Sequence, residues 1–207
     1  MATSRSSAKR PGVQYEARAL AFGASVALLG ACGGSDGGGR AVAATALPPE
    51  PVAAPTCGLR EFAASTLARI NQIRAAGADC HSAGRFGPAG PLVWSAALAR
   101  AADAHTREMA ARDYFSHISS DGRNVGDRVS ATGYAWSSVG ENIAAGFDSI
   151  PSVMEGWLSS DDHCANLMDS GFVELGMACV PGTPNTTYYT YWTMDLGRPR
   201  QSMASSR

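Results

Sequence analysis

The chain has 207 residues, of which 45% are hydrophobic and 17% charged, and its formal net charge is −1. That length holds one domain of ordinary size, or two small ones, once non-globular segments are set aside. A near-neutral balance supplies no global field for nucleic acid, which is excluded as a partner, or for an anionic membrane surface; partners have to be read from a site.

Residues 1–18 carry Arg5, Lys9, Arg10 and Arg18 against Glu16 alone, and the stretch from Ala19 to Ala31 has no charge. A basic head followed by a short apolar core predicts a secretory signal over residues 1–31, because so short a run does not cross about 30 Å of hydrocarbon as a permanent helix. Leu29-Gly30-Ala31-Cys32 resembles a bacterial lipobox. The resemblance implies that Cys32 is lipidated and becomes the first residue of the mature chain, anchored to a membrane in the periplasm or at the cell surface through its acyl chains. Gly33 in place of Asp favours the outer membrane. Gly33 to Thr56 is rich in Gly, then in Pro and Ala, and reads as a tether. The folded unit is therefore expected over 57–199, with 200–207 as a tail.

Within that unit Leu59, Phe62, Ala63, Leu67, Ile70 and Ile73 recur by threes and fours, with Arg60, Glu61, Arg69, Gln72 and Arg74 opposite. The spacing predicts an amphipathic helix that ends near Gly77. Ser95 is a good N-cap for a second helix, whose stripe holds Ala97, Leu98, Ala101, Ala102, His105 and Met109; so much alanine implies a close neighbour. His105, lying on that stripe, reads as a core or cleft-wall residue. A shorter helix is expected over Asn124 to Thr132, stopped by Gly133, and another from near Pro151 through Leu158. Phe172 to Val180 alternates like a strand, Pro181 to Thr187 supplies turn chemistry, and Tyr188 to Leu196 is aromatic and β-branched. Helices followed by a hairpin indicate an α+β layer fold.

Five cysteines are an odd number for an oxidising compartment. With Cys32 assigned to lipid, Cys57, Cys80, Cys164 and Cys179 remain, an even set that suggests two disulfides. Three pairings are possible. Cys57 with Cys80 and Cys164 with Cys179 is favoured, since each pair flanks one predicted element. No CxxC spacing points to a thiolate metal site.

Four polar motifs stand beside these elements: Tyr114-Phe115-Ser116-His117; Gly140-Glu141-Asn142-Ile143-Ala144; Trp157, Ser160, His163 and Asn166 at intervals of three; and Phe172-Val173-Glu174-Leu175-Gly176. In this order they resemble the bacterial branch of the CAP superfamily, the fold of cysteine-rich secretory and pathogenesis-related proteins. That resemblance implies a three-layer α-β-α sandwich with a small antiparallel sheet and a central cleft. It also implies that His117, Glu141 and His163 line the cleft, that His117 and His163 hold a divalent ion such as Zn2+, and that Glu174 supplies a further carboxylate or faces solvent. Many members place a glutamate where this chain has Ser160.

Independently of family, two neutral imidazoles suit zinc, and a neighbouring carboxylate either completes the shell or accepts the second ring N–H. Two protein ligands make binding weak and exchangeable. Asn142 and Asn166 read as structural amides, and Trp94, Trp157, Tyr191 and Trp192 as core aromatics. Three functions compete. The first is a lipid-anchored binding module for a small apolar, lipid or peptide-like ligand or an envelope partner. The second is a hydrolase, metal-assisted or built on Ser160 and His163, three apart and able to touch on a helical turn. The third is a structural envelope protein. GxSxG and HExxH are both absent.

Overall fold

The computed structural model describes residues 56–201. The expected signal segment, Cys32 and nearly all of the tether lie outside the described residues, as does most of the expected tail. In chain order the elements are α1 (Phe62–Ala76), β1 (Ala78–Asp79), a 3-10 turn (His81–Ala83), β2 (Arg85–Phe86), β3 (Val93–Trp94), α2 (Ala96–Arg112), α3 (Val125–Ala131), β4 (Trp136–Ala145), α4 (Ile150–Leu158), α5 (Asp161–Met168), β5 (Glu174–Pro181) and β6 (Thr190–Pro199).

Local chemistry explains most boundaries. Gly77, at φ 77°, ends α1. Asn124 accepts the Asp127 N–H at the start of α3 while Asp127 accepts the Asn124 N–H, a reciprocal cap. Ser149 and Ser152 do the same for α4, with Pro151 in its first turn.

The main sheet has the order β3-β5-β6-β4. β5 and β6 form an antiparallel hairpin and β4 adds antiparallel to β6, but the short β3 pairs parallel to β5, so the sheet is mixed at that edge. β1 and β2 form a separate two-stranded ribbon.

Side chains alternate along the strands and divide the interior into two layers. Trp192, Met194, Leu196, Leu175 and Met177 face α1, α4 and α5, where they meet Ile70, Met154, Trp157 and Leu167. Tyr191, Ile143 and Val139 face the opposite way, toward Met109 of α2 and Leu98 and Val129. This is the α-β-α sandwich expected from the sequence. The alanines of α2 let it lie directly on the sheet: a Cβ added to Gly176 would stand 1.9 Å from the Ala99 backbone nitrogen. Only glycine fits beneath that helix.

Two expectations fail. The cysteines pair as Cys57–Cys179 and Cys80–Cys164, not as neighbours in sequence. The first bridge fastens the chain entering the domain to β5, and the second joins the segment after β1 to α5. Arg74, expected on the polar face of α1, is 1% exposed. Its guanidinium donates to the carbonyls of Gly90, Leu167, Asp169 and Phe172 at 2.7–3.3 Å. A long stem and a five-donor fork let arginine cross an apolar layer and satisfy carbonyls that no helix or strand uses.

Candidate functional site

β4 is the edge of the main sheet, so the two outer layers meet across it with no strand between. Strand alternation sends Glu141 toward the α2 and α3 layer and Asn142 toward α5. On the first face Glu141 Oε1 receives the His117 Nδ1–H at 2.8 Å, and Oε2 receives Arg128 Nη2 from α3. On the second face Asn142 Nδ2 donates to the His163 carbonyl at 3.0 Å, and Asn166 Nδ2 donates to Asn142 Oδ1 at 3.0 Å and to the Glu141 carbonyl at 3.3 Å. The two asparagines thus tie α5 to the backbone of β4. As a result the His117 and His163 rings face each other, with centroids 6.3 Å apart and planes at 34°.

The segment carrying His117 follows α2 and is held from below. His105, fully buried, donates Nε2–H to the Ser116 carbonyl at 2.9 Å. Arg128 Nη1 donates to the His117 carbonyl at 3.1 Å and to Ser119 Oγ at 3.2 Å. Asp113, in the left-handed region at the end of α2, accepts from the Thr187 N–H, the Thr187 hydroxyl and the Tyr191 hydroxyl, fixing where the segment leaves the helix.

Glu141 is buried, and burial alone would push its carboxyl up. The His117 hydrogen bond and the Arg128 charge outweigh that and hold it below the usual carboxylate range. A carboxylate on Nδ1–H leaves the neutral His117 ring with its lone pair on Nε2. His163 is half-buried; its Nδ1 lies 2.9 Å from Ser160 Oγ. Ser160 stands at the N-cap of α5, yet its side chain makes no cap bond. Burial, and then the neighbouring His117, lowers the His163 pKa.

His117, Glu141 and His163 therefore lie together. Glu174 does not join them: it sits on β5 opposite Gly197, and among the described residues no contact links it to either imidazole. Its carboxylate instead adds to burial, the larger cause, in pushing the Tyr134 phenol up. Two members of the cluster escape sequence reasoning. Arg128 is 3% exposed and Asp195 fully buried, and Asp195 lies directly across from Glu141 in the β4–β6 register.

The model of the cysteine-rich secretory protein family, CAP, matches residues 67–196, more than half of the chain. The chain belongs to the CAP family. Among its relatives, the Bacillus subtilis membrane protein YlbC is 32% identical over 99 residues, which cover 48% of this chain and 27% of that protein. Bacillus subtilis YkwD is 29% identical over 90 residues, covering 44% of this chain and 35% of its own. This CAP chain thus spans about a third or less of the curated relatives it matches. A solved extracellular protein of Bacillus anthracis containing an SCP domain is 26% identical with a TM-score of 0.50, over 66% of this chain and 41% of that one.

The buried His105 is expected to make the stability of this CAP domain acid-sensitive. Burial, the largest cause, lowers the His105 pKa below its ordinary 6.5. Below about pH 6.5 the unfolded chain takes up a proton that the folded one refuses, so stability falls as pH is lowered. The urea midpoint of metal-free protein is expected to drop between about pH 7.5 and about pH 5.5, and His105→Gln to flatten that slope. An equally steep decline in the variant would refute this origin.

Proposed function

We propose that this CAP-domain protein is exported and that its His117–Glu141–His163 cleft binds a zinc-like divalent ion, weakly and exchangeably, together with a small apolar or peptide-like ligand. The observation that carries the reading is the use of the ring nitrogens. Each imidazole has its Nδ1 engaged, by Glu141 in one ring and by Ser160 in the other, which leaves Nε2 of both for a shared ligand. A carboxylate on the far nitrogen of a ligating histidine fixes its tautomer and raises its basicity. Glu141, held by His117 and Arg128, acts in that outer role and is not itself a ligand. Among the described residues no group of three or more His, Cys, Asp and Glu converges as a metal site, which is why weak binding is proposed.

Export is supported by two disulfides, stable in an oxidising compartment, and by the extracellular and membrane designations of the relatives. Lipidation at Cys32 and an outer-membrane location remain part of this reading; a diacylglyceryl mass on Cys32 of natively isolated protein tests the anchor.

The second reading, a serine hydrolase, draws on the 2.9 Å Ser160–His163 contact. Burial keeps that imidazole neutral and fit to accept the hydroxyl proton. Calorimetry with Zn2+ separates the two. Binding in a single weak isotherm is expected, reduced by at least about 10-fold in His117→Gln and in His163→Gln. Unchanged zinc binding in both variants would exclude the metal reading. Ester or peptide hydrolysis that Ser160→Ala removes and a chelator does not would favour the serine route.

A further inference from the structure

Two acids share one cation behind the cleft. Glu141 on β4 and Asp195 on β6 are direct cross-strand partners on one face, where opposite side chains stand about 4.5–5.5 Å apart at Cβ. Both are buried, Asp195 completely. Arg128 from α3 reaches both, and Glu141 also meets His117 and, at longer range, His105 from α2. Arg128 directs Nη2 to Glu141 and divides Nη1 among the carbonyls of His117 and Arg123 and the hydroxyl of Ser119. His105 is committed to the Ser116 carbonyl. Neither oxygen of Asp195 has a donor among the described residues.

Two adjacent carboxylates removed from water cannot both stay ionised against a single cation. Nor can two carboxylates hydrogen-bond each other unless a proton lies between them. Glu141 has the His117 N–H and the Arg128 guanidinium as donors, Asp195 has none, and burial with the Glu141 charge beside it drives the Asp195 carboxyl well above its ordinary value. The proton therefore belongs to Asp195.

We propose that Asp195 is a positioning residue of the cleft: it carries a proton at neutral pH and donates it to Glu141. Glu141 then receives three hydrogen bonds, from His117, Arg128 and Asp195, which together leave its carboxylate one orientation. That orientation keeps the His117 ring in the Nδ1–H tautomer, with Nε2 turned outward. Asp195 touches neither imidazole in this scheme and acts only through Glu141. The inference rests on the cleft reading above for its functional meaning, but its protonation does not depend on whether zinc binds.

Infrared difference spectra of the metal-free full chain test it at neutral pH. The wild type is expected to show the C=O stretch of a protonated carboxyl group, and Asp195→Asn to lack it. Asn is neutral and still offers an N–H to Glu141, so the His117 15N shifts of Asp195→Asn are expected to keep the wild-type tautomer, and zinc affinity to stay within about 3-fold. Asp195→Leu removes the donor; its 15N shifts are expected to report mixed tautomers, and its zinc affinity to fall by about 10-fold, the lower end for outer-sphere partners. If Asp195→Leu does not fold, the wild-type and Asn spectra still decide. A wild-type spectrum without the protonated band overturns the proposal, as does an Asn variant with an altered tautomer. A wild type that shows the band yet binds no zinc supports the Asp195 proton and refutes the metal reading instead.

Discussion

Replacing Arg128 with methionine is expected to destabilise the fold by about 3–5 kcal/mol, the usual consequence of breaking a buried ion pair from one side. The Arg128 and Glu141 side chains are each 2% exposed, so neither finds water when the other is removed. The guanidinium also holds the carbonyls of His117 and Arg123 and the Ser119 hydroxyl, so its loss frees the segment that carries the cleft histidine. Two controls separate charge from packing. Adding Glu141→Gln should recover part of the loss, because the uncompensated buried charge is gone. In the single variant Glu141 loses the cation that holds its carboxyl low, so its pKa rises. Acidification then neutralises it within the fold, and the gap to wild type should narrow as pH falls toward the ordinary glutamate value of about 4.3. Urea titrations of the three proteins across pH measure this. A gap that is constant with pH and equal in the single and double variants would mean that packing alone is responsible.

The sequence was most readable where one short-range rule dominates. The periodicity of α1, the Ser95 start of α2, the Asn124 and Gly133 limits of α3 and the Pro151 turn of α4 all rest on neighbours within four positions, and each matches the structure to within about three residues. The β5–β6 hairpin was visible for the same reason. β4 was not. Ser137, Ser138, Gly140, Glu141 and Asn142 carry little strand preference, and the element exists because β6 pairs with it along its length. α5 opens with two aspartates and a histidine and owes its place to Cys164, Leu167 and Met168 packing inward.

The site divides along the same line. His117, Glu141 and His163 were found because they sit in motifs of recognisable order. Arg128 and Asp195 stood in predicted elements with no motif around them; Arg128 joins the cluster by reaching from α3 to Glu141, and Asp195 by a strand register that joins positions 54 apart. A charged residue directly after Tyr191, Trp192, Thr193 and Met194 was the available signal for Asp195: an acid in an otherwise apolar and aromatic strand needs a partner. Arg74 misled for the opposite reason, since an arginine on a helix face reads as solvent-exposed until the carbonyls that receive it are known.

The disulfides mark the other place where distance in sequence decides the energetics. Paired as neighbours, the cysteines would close short loops worth about 3 kcal/mol each in the chain-entropy model. Paired as they are, with separations of 122 and 84 residues, each bridge is worth roughly 4.5–5 kcal/mol in that model. Cys80→Ala with Cys164→Ala, and Cys57→Ala with Cys179→Ala, should therefore cost similar stability, while their effects on the cleft should differ. Cys164 is the residue after His163 in α5, so without its bridge that helix loses its covalent tie to the segment after β1 and keeps the Asn142 and Asn166 amides and its inward packing, while the imidazole keeps its Ser160 contact. Cys57 is instead joined to β5, which carries neither cleft histidine, by a backbone hydrogen bond from its own N–H to the Cys179 carbonyl at 3.1 Å. Comparable drops in urea midpoint are expected, with zinc binding weakened in the Cys80/Cys164 variant and retained in the Cys57/Cys179 variant under conditions where both stay folded. Equal losses of zinc binding would show that the bridge beside His163 acts on global stability alone and does not position the ring.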